Sequence, residues 1–326
     1  MEPSKLYSLI TDDMLAVDTV IRARLTSDVV LVRQVAEYII AAGGKRMRPA
    51  LVLLSAGAVG YSGRPHHNHH HDLAAVVEFI HTATLLHDDV VDESALRRGK
   101  DTANALFGNA ASVLVGDFLY SRAFQMMVDV GNLRIMQVLS DATNIIAEGE
   151  VLQLMNCHNA DISIEEYLQV IRFKTAKLFE AAAWIGALLG EASPAMEEGL
   201  ARYGMHLGTA FQIVDDVLDY SGDEAETGKH LGDDLAEGKP TLPLIHVMQK
   251  GTPEQARCVR HALEEGGRDN FPEILKAVQE SGALEVARSV AEKEAKHAVD
   301  ALSELPATAY KDALIQCAAF AVARRH

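Results

Sequence analysis

Apolar residues recur at helical spacing along almost the whole of this 326-residue chain. Val76, Val77, Ile80, Thr84 and His87, for example, follow the three- and four-residue steps that place side chains on one face of an α-helix. Sustained alternation of apolar and polar residues, which marks a half-buried β-strand, is hard to find. The pattern therefore predicts an all-α protein.

The composition is that of an ordinary globular chain, with 48% hydrophobic and 23% charged residues. Its length has room for two modest domains or for one large bundle. No linker rich in proline or serine divides it, and the main breaks, near residues 61–71 and 220–240, lie between helical segments. We predict a single domain over residues 1–326, formed by one large helical bundle.

The net charge limits which partners the protein can bind, and the cysteines indicate the compartment in which it works. The formal net charge of −16 argues against a general nucleic-acid binder or an anionic-membrane binder, since both need an extended basic face. Cys157, Cys258 and Cys317 are far apart and form no CxxC pair, so neither a disulfide framework nor a zinc site is indicated. No signal peptide and no membrane-spanning stretch is evident. We predict a cytoplasmic protein.

Helix boundaries are signalled at several places. Ser163 with Glu166 three residues later forms a capping box, and Thr252 precedes a proline suited to the first helical position.

The stretch 168–189 is apolar on nearly every side and predicts one central helix that is buried on most sides. Its charged residues are Arg172, Lys174, Lys177 and Glu180.

Two short acidic motifs read Asp-Asp-x-x-Asp, the first beginning at Asp88 and the second at Asp215. On a helix the first and last aspartates of each motif lie one turn apart on the same face, so Asp88 stacks with Asp92 and Asp215 with Asp219. Like charges so placed repel each other unless a hard divalent cation binds them. Mg²⁺ prefers one or two carboxylates together with water and substrate phosphates. Two such turns facing each other would hold a magnesium–diphosphate cluster.

A single motif of this kind is also typical of a solvated acidic helix face that binds nothing. The flanking residues favour metal binding here, because apolar residues precede both motifs. Buried helices would then bring the aspartates to the mouth of a cavity, where an unpaired carboxylate is costly and a metal relieves the cost. These flanking residues are Ala83, Leu85 and Leu86 in the first case and Phe211, Ile213 and Val214 in the second.

Cationic residues follow a matching pattern. The segment Gly-Gly-Lys-Arg-Met-Arg-Pro predicts the end of one helix and the start of another, with Lys45, Arg46 and Arg48 at a helix N-terminus that favours anions. Arg97 and Arg98 come just after the first acidic motif, and the planar guanidinium suits bidentate phosphate binding. Lys174 lies on the central helix. Each of these residues taken alone is also compatible with ordinary surface charge, and their combination favours a phosphate site.

Together these features resemble the trans-isoprenyl diphosphate synthases, over nearly the whole chain. Within that family the sequence is most similar to the long-chain branch and to its bacterial octaprenyl members, which supply quinone side chains. Besides both acidic motifs, the strings that carry the resemblance are EFIHTATLLHDDVVDES, RRGK, GNAASVLVGDF, GEVLQL, KTA, GTAFQIVDDVLDY and GDDLAEGKPTLP. The resemblance implies the isoprenoid synthase fold, a single bundle around a deep central cavity, and a homodimer.

The resemblance also implies a role for each matching residue. The diphosphate of isopentenyl diphosphate would be held by Lys45, Arg48, His81 and Arg98. The allylic diphosphate, with farnesyl diphosphate the expected primer, would be held by Arg97, Lys174, Lys229 and Lys239, with Thr175 and Gln212 beside it. The principal ligands of Mg²⁺, with three ions expected per active site, would be Asp88, Asp92 and Asp215, supported through water or hydrogen bonds by Asp89, Asp216 and Asp219.

Product length is indicated by the residues four and five positions before Asp88. Thr84 and Ala83 are small, whereas bulky aromatic residues there stop growth early in the resembling family. We therefore predict an open apolar tunnel and a long product, although small residues at these positions also suit tight helix packing. Candidates for the tunnel floor are Phe124, Met126 and Met127.

The residues His66, His67, His69, His70 and His71 form a cluster that is outside the family pattern. It could bind Ni²⁺ or Zn²⁺, but we favour a solvated connector with no catalytic part. His87, next to Asp88, either orients a carboxylate or only packs.

Other functions remain open at this point. A shorter-chain synthase, a terpene cyclase or a head-to-head synthase also uses aspartate-rich helices, but the last two need no second diphosphate site of the GGKRMRP type. A non-catalytic regulatory subunit would be expected to have lost aspartates or arginines. A plain divalent-ion-binding bundle would not need so many placed cations.

Overall fold

The computed structural model describes residues 8–41, 43–63, 68–97, 99–221, 231–266 and 270–324. The described part of the chain begins with a 3₁₀ turn at Ser8–Ile10 and is mainly helical. In chain order they are α1 (Thr11–Arg24), α2 (Val30–Ala41), α3 (Met47–Ala58), α4 (His69–Val91), α5 (Ala103–Phe107), α6 (Asn109–Val130), α7 (Leu133–Asn156), α8 (Ile164–Ile171), α9 (Lys177–Leu189), α10 (Pro194–Leu218), α11 (Asp233–Ala236), α12 (Leu242–Lys250), α13 (Pro253–Glu265), α14 (Phe271–Glu280), α15 (Ala283–Ala301) and α16 (Ala309–Ala323).

The all-α class is confirmed. Within the described residues the only strands are β1 (Leu96–Arg97) and β2 (Lys100–Asp101), which pair antiparallel as a small hairpin between α4 and α5. None of the helices in the same residues is both long and apolar enough to cross a membrane.

The chain forms two compact units. Unit 1 comprises Met1–Thr143, Leu178–Gly204 and Val299–Cys317, and unit 2 comprises Asn144–Lys177, Met205–Ala298 and Ala318–His326. The boundaries between the units fall inside helices rather than in linkers. The single domain over residues 1–326 and its central cavity remain predictions.

In unit 1 the long helix α4 is the central element, packed against α1, α3 and α6. Its apolar face is fully buried, including Leu73, Phe79 and Ile80, and each such side chain contributes about 1.5–3 kcal/mol through burial. Helices α4 and α6 come very close beside the first acidic motif. A Cβ atom at Gly116 of α6 would lie 2.3 Å from Nε2 of His87, so any other residue at position 116 would displace the His87 ring.

Unit 2 has two apolar clusters. One joins the short helices α11–α14 around residues such as Leu244, Leu263 and Ile274. The other includes Ile213 and Val214, two of the three apolar residues that precede the second acidic motif. The predicted burial of this flank is confirmed for these two residues, whereas Phe211 is partly exposed.

Both predicted N-terminal signals are confirmed. Ser163 and Glu166 form a complete capping box before α8, and Thr252 forms one with Gln255 before α13, which begins at Pro253. The start of α3 differs from the sequence interpretation, because the helix begins at Met47 and Pro49 is its third residue.

The predicted continuous helix over residues 168–189 is wrong in one respect. Between α8 and α9 the turn Arg172–Ala176 is a π-helix. The backbone of α7 comes against this turn at Gly149, where a Cβ atom would lie 2.6 Å from the backbone nitrogen of Lys174. Helix α9 is buried on most sides, as the sequence predicts. π-turns inside helices are frequent at functional sites, and this one carries Lys174 and Thr175.

Candidate active site

The first acidic motif forms the last turn of α4. The backbone N–H of Asp92 donates to the carbonyl of Asp88 at 2.8 Å, and Asp92 is the C-cap of the helix. Both residues are partly exposed. The two carboxyl-bearing residues therefore lie one helical turn apart, as the sequence predicts, and a hard cation would find oxygen ligands of the type it prefers.

Asp89 lies between them in sequence but has no exposed surface. Nε of Arg97 donates to Oδ1 of Asp89 at 2.8 Å, and Nη2 of Arg97 lies 2.6 Å from the same oxygen. Burial acts to lower the pKa of Arg97, but the hydrogen bond and the charge of Asp89 outweigh burial and raise it. Guanidinium has five N–H donors, so these two contacts leave donors for an anion. Asp89 thus orients Arg97, and its predicted support of the metal ligands stays a prediction.

The predicted isopentenyl diphosphate residues Arg48 and His81 are brought together in unit 1. Nη1 of Arg48 donates to Nε2 of His81 at 3.2 Å, and the guanidinium lies 4.4 Å from the centre of the Phe179 ring. Lys45 lies in the loop before α3 and is partly buried. Arg46 is the N-cap of α3 in a left-handed conformation, and its Nη1 lies 2.8 Å from Oε1 of Glu78. The charge of Arg46 is therefore balanced by a carboxylate, and the phosphate contact suggested for it by the sequence stays a prediction.

Two residues predicted to bind substrate, Arg98 and Lys229, lie outside the described residues, as do His66 and His67.

In unit 2 the π-turn presents Lys174 to helix α7. Nζ of Lys174 lies 2.5 Å from Oε2 of Glu150 and 2.7 Å from Oε1 of Gln153. Sequence reasoning did not identify these two residues individually, although both belong to the GEVLQL string. They hold the ammonium group of Lys174 in one place.

A chain of hydrogen bonds joins Thr175 to the second acidic motif. The hydroxyl of Thr175 donates to Oε1 of Gln212 at 3.0 Å, and Nε2 of Gln212 donates to Oδ1 of Asp216 at 2.8 Å. Tyr167 donates to the other oxygen of Asp216 at 2.5 Å. Burial, followed by the nearby charge of Asp234, raises the pKa of Asp216 well above its usual range. The buried side chain of Asp216 therefore orients the side chain of Gln212.

Asp215 and Asp219 also lie one turn apart, since the N–H of Asp219 donates to the carbonyl of Asp215 at 3.1 Å. Sequence reasoning missed their neighbour Arg324. Its guanidinium lies 3.7 Å from the centre of the Phe211 ring, donates to the Phe211 carbonyl at 2.7 Å and lies 3.6 Å from Oδ1 of Asp215. Burial lowers the pKa of Arg324, and the Asp215 carboxylate opposes this effect.

Lys239 follows the short helix α11. Its Nζ lies 2.5 Å from Oε2 of Glu237, and its backbone N–H donates to the carbonyl of Asp234 at 2.8 Å. Lys239, which is predicted to bind the allylic diphosphate, therefore has its backbone held by a hydrogen bond and its side chain paired with a carboxylate.

The residues predicted to set product length lie inside unit 1. Ala83 has no exposed surface, whereas Thr84 is partly exposed and donates to the carbonyl of His81 at 2.7 Å. Met126 and Met127 are buried, and Phe124 lines a surface cavity together with Tyr120 and other residues of α6.

The side chain of His87 lies against α6. Its Nε2 lies 3.1 Å from the carbonyl oxygen of Val113 and 3.4 Å from Oδ1 of Asp117, and its ring stacks on Tyr120. These contacts favour the interpretation that His87 packs against α6. The carboxylate next to its ring is that of Asp117.

A helical chain with two such carboxylate turns and partly buried cations is suited to binding metal-bound diphosphates. A sequence profile of the polyprenyl synthetase family matches residues 29–280. The chain therefore belongs to the polyprenyl synthetase family, and the resemblance inferred from its motifs is confirmed.

Known members show how close the relationship is. The octaprenyl diphosphate synthase of Escherichia coli (strain K12) is 55% identical over 325 residues, covering 99% of each chain. The enzyme of the same name from Haemophilus influenzae is 49% identical over 327 residues, covering 100% of this chain and 98% of its own. A crystal structure of a polyprenyl synthase from Caulobacter crescentus, complexed with calcium and isoprenyl diphosphate, has a TM-score of 0.95 and 44% identity and covers 100% of this chain and 98% of its own. The isoprenoid synthase fold is thereby confirmed.

Proposed function

We propose that this chain makes octaprenyl diphosphate by adding isopentenyl diphosphate repeatedly to an allylic diphosphate, with farnesyl diphosphate as the primer. Family membership makes the chain a prenyltransferase of the long-chain trans-polyprenyl type. The observation that carries the octaprenyl assignment is the 55% identity over 99% of the chain to an octaprenyl diphosphate synthase. Use of the product for a quinone side chain and a cytoplasmic location belong to the same proposal.

The proposed cofactor is Mg²⁺, with three ions per active site. The donor set fits this ion, because Asp88, Asp92 and Asp215 offer hard carboxylate oxygens on partly exposed residues. When bound, Mg²⁺ would neutralise the diphosphate leaving group while the allylic C–O bond breaks. Asp89, Asp216 and Asp219 support these ligands in the proposal.

The chain's own cations bind and orient the two substrates. Lys45, Arg48 and His81 hold the diphosphate of isopentenyl diphosphate, together with Arg98. Preorganised positive charge stabilises the departing allylic diphosphate as negative charge develops on it. The residues proposed for this second role are Arg97, Lys174, Lys229 and Lys239.

The carbon chemistry needs no protein nucleophile. The allylic cation left by C–O cleavage couples to the double bond of isopentenyl diphosphate, and loss of a proton restores a double bond. The oxygens of Thr175 and Gln212, linked at 3.0 Å, can stabilise the cation.

Incubation of the purified chain with Mg²⁺, farnesyl diphosphate and labelled isopentenyl diphosphate tests this function. We expect a labelled octaprenyl product with Mg²⁺ and none with a chelator. A terpene cyclase would incorporate no label, and a regulatory subunit would give no product alone. A labelled product of another length would overturn only the octaprenyl assignment.

Arg324 is expected to position Asp215 for metal binding. Removing its charge in Arg324→Met should raise the Mg²⁺ concentration needed for half-maximal activity by about 10–100-fold, the usual effect of losing a partner of a metal ligand. Arg324→Lys keeps a charge near Asp215 and should restore part of the affinity. Magnesium titrations of turnover measure both variants, and an unchanged half-saturation in Arg324→Met would rule this role out.

Exposed apolar residues on α6 support the proposed homodimer. Leu114 and Val128 are 66% and 61% exposed and lie fourteen residues apart, on one helix face. Next to Val128 is a cavity of about 490 Å³ with mainly apolar lining. A second copy of the chain packed on this face would cover both apolar side chains.

We therefore expect Leu114→Glu to convert a dimer of twice 35.4 kDa into a monomer, because it buries a charge in the interface. Light scattering after size exclusion measures the mass. The matched control is Leu15→Glu on α1, a residue of similar exposure at 62%, which should leave the dimer intact. A dimeric Leu114→Glu protein would exclude this face.

A further inference from the structure

Part of the histidine cluster forms a constellation that the prenyltransferase reaction does not use. Asp13 lies in the first turn of α1, and His70 and His71 lie in the first turn of α4. Nε2 of His71 lies 2.8 Å from Oδ1 of Asp13, and Nε2 of His70 lies 3.5 Å from the same oxygen. All three ligand atoms lie within 4.8 Å of one another.

We propose that Asp13, His70 and His71 bind one divalent transition-metal ion, of the class of Zn²⁺ or Co²⁺. Two imidazole nitrogens and one carboxylate oxygen are a known ligand set for tetrahedral zinc, with water as the fourth ligand. Ligand atoms about 2.0–2.1 Å from such an ion lie roughly 3.3–3.5 Å apart. The distance from Nε2 of His70 to Oδ1 of Asp13, 3.5 Å, already fits this spacing. The distance from Nε2 of His71 to the same oxygen, 2.8 Å, has to widen slightly when the metal binds.

The cluster is largely shielded from solvent. The side chains of His70 and His71 are 13% and 11% exposed. The start of a helix disfavours a cation, but the carboxylates of Asp13 and Asp72 offset this effect.

A second histidine–carboxylate cluster makes a useful comparison. His206, Glu294 and His297 also offer three ligand atoms within 4.8 Å. There, however, Glu294 accepts from His206 at 2.6 Å and from Arg172 at 3.5 Å, so its charge is already balanced by a permanent cation. In the first cluster the described contacts of Asp13 are with the two histidines, and we assign the metal to this cluster alone.

The proposed site is distinct from the reaction centre. Along α4, His71 and Asp88 are seventeen residues apart, which corresponds to about 26 Å at the helical rise. A metal there joins α1 to the start of α4 within unit 1. The expected role is to stabilise the fold, by binding the native state only.

Cobalt titration of the full-length protein tests the site. Excess Mg²⁺ is present throughout, because oxygen ligands such as those of the acidic motifs take Mg²⁺. We expect one Co²⁺ per chain with the visible absorption of tetrahedral coordination, displaced by Zn²⁺, and a rise in melting temperature of roughly 5 °C at saturating Zn²⁺.

Variants identify the ligands. Asp13→Asn and His71→Ala should each weaken Co²⁺ binding by at least about 10-fold, and Asp13→Asn keeps a hydrogen-bond acceptor so that the fold is preserved. The controls are His297→Ala in the second cluster and the double variant His66→Ala/His67→Ala, and both should bind like the wild type. Failure of the wild type to bind Co²⁺, unchanged binding by Asp13→Asn, or loss of binding only in the double variant would overturn the proposal.

Discussion

Asp88→Ala and Asp215→Ala are each expected to lower turnover by at least about 100-fold, the usual effect of removing one preorganised group that stabilises transition-state charge. Each carboxylate would contribute directly to a Mg²⁺ site, and alanine leaves a ligand position that water fills without its charge. Both residues are partly exposed, so truncation leaves no buried cavity. The helical circular dichroism spectrum should persist. Turnover is measured with labelled isopentenyl diphosphate at saturating substrate.

The matched control is Glu198→Ala, which removes a carboxylate that is 73% exposed and 4.0 Å from Arg202 on the same helix. This variant should keep wild-type turnover, since an exposed pair of this kind contributes little. Normal turnover in either aspartate variant would remove that aspartate from the metal site.

The Ala83→Tyr variant is expected to release products much shorter than those of the wild type. Position 83 lies five residues, or about 7.5 Å along the helix, before the first aspartate of the motif. Because Ala83 has no exposed surface, a tyrosine ring has to take volume that the alanine does not fill. In the proposed enzyme that volume is the path of the growing chain. Chromatography of the dephosphorylated products measures their length.

Overpacking by the ring is also expected to lower the melting temperature, so folding is monitored separately. Ala83→Ser changes the volume little and should leave the product long. If the folded Ala83→Tyr protein makes the wild-type product, this face of α4 does not line the tunnel, and tight helix packing explains the small residues.

Local sequence signals predict local structure well in this chain. The capping boxes at Ser163 and Thr252 depend on residues three positions apart, and both form as predicted. The helical class follows from periodicity that recurs along the chain. The acidic turns form as predicted because each depends only on residues four positions apart, which one backbone hydrogen bond joins.

Features that depend on distant contacts could not be predicted from the sequence. The π-turn at Lys174 reflects the approach of α7 at Gly149, twenty-five residues earlier. Arg324 lies more than one hundred residues after Asp215, and no motif links the two. Similarly, the sequence marks Arg46 as one more cation of the GGKRMRP segment, and only the fold reveals its pairing with Glu78.

The proposed mechanism can be tested with a crystal structure of the protein bound to Mg²⁺ and to a farnesyl diphosphate analogue whose C–O bond is replaced by C–S. We expect Mg²⁺ ions bound to Asp88, Asp92 and Asp215 and to the diphosphate oxygens of the analogue. Arg97 and Lys174 should contact the same diphosphate. An analogue bound elsewhere, or a bound analogue whose metal ions have no contact with these three aspartates, would contradict the proposed mechanism.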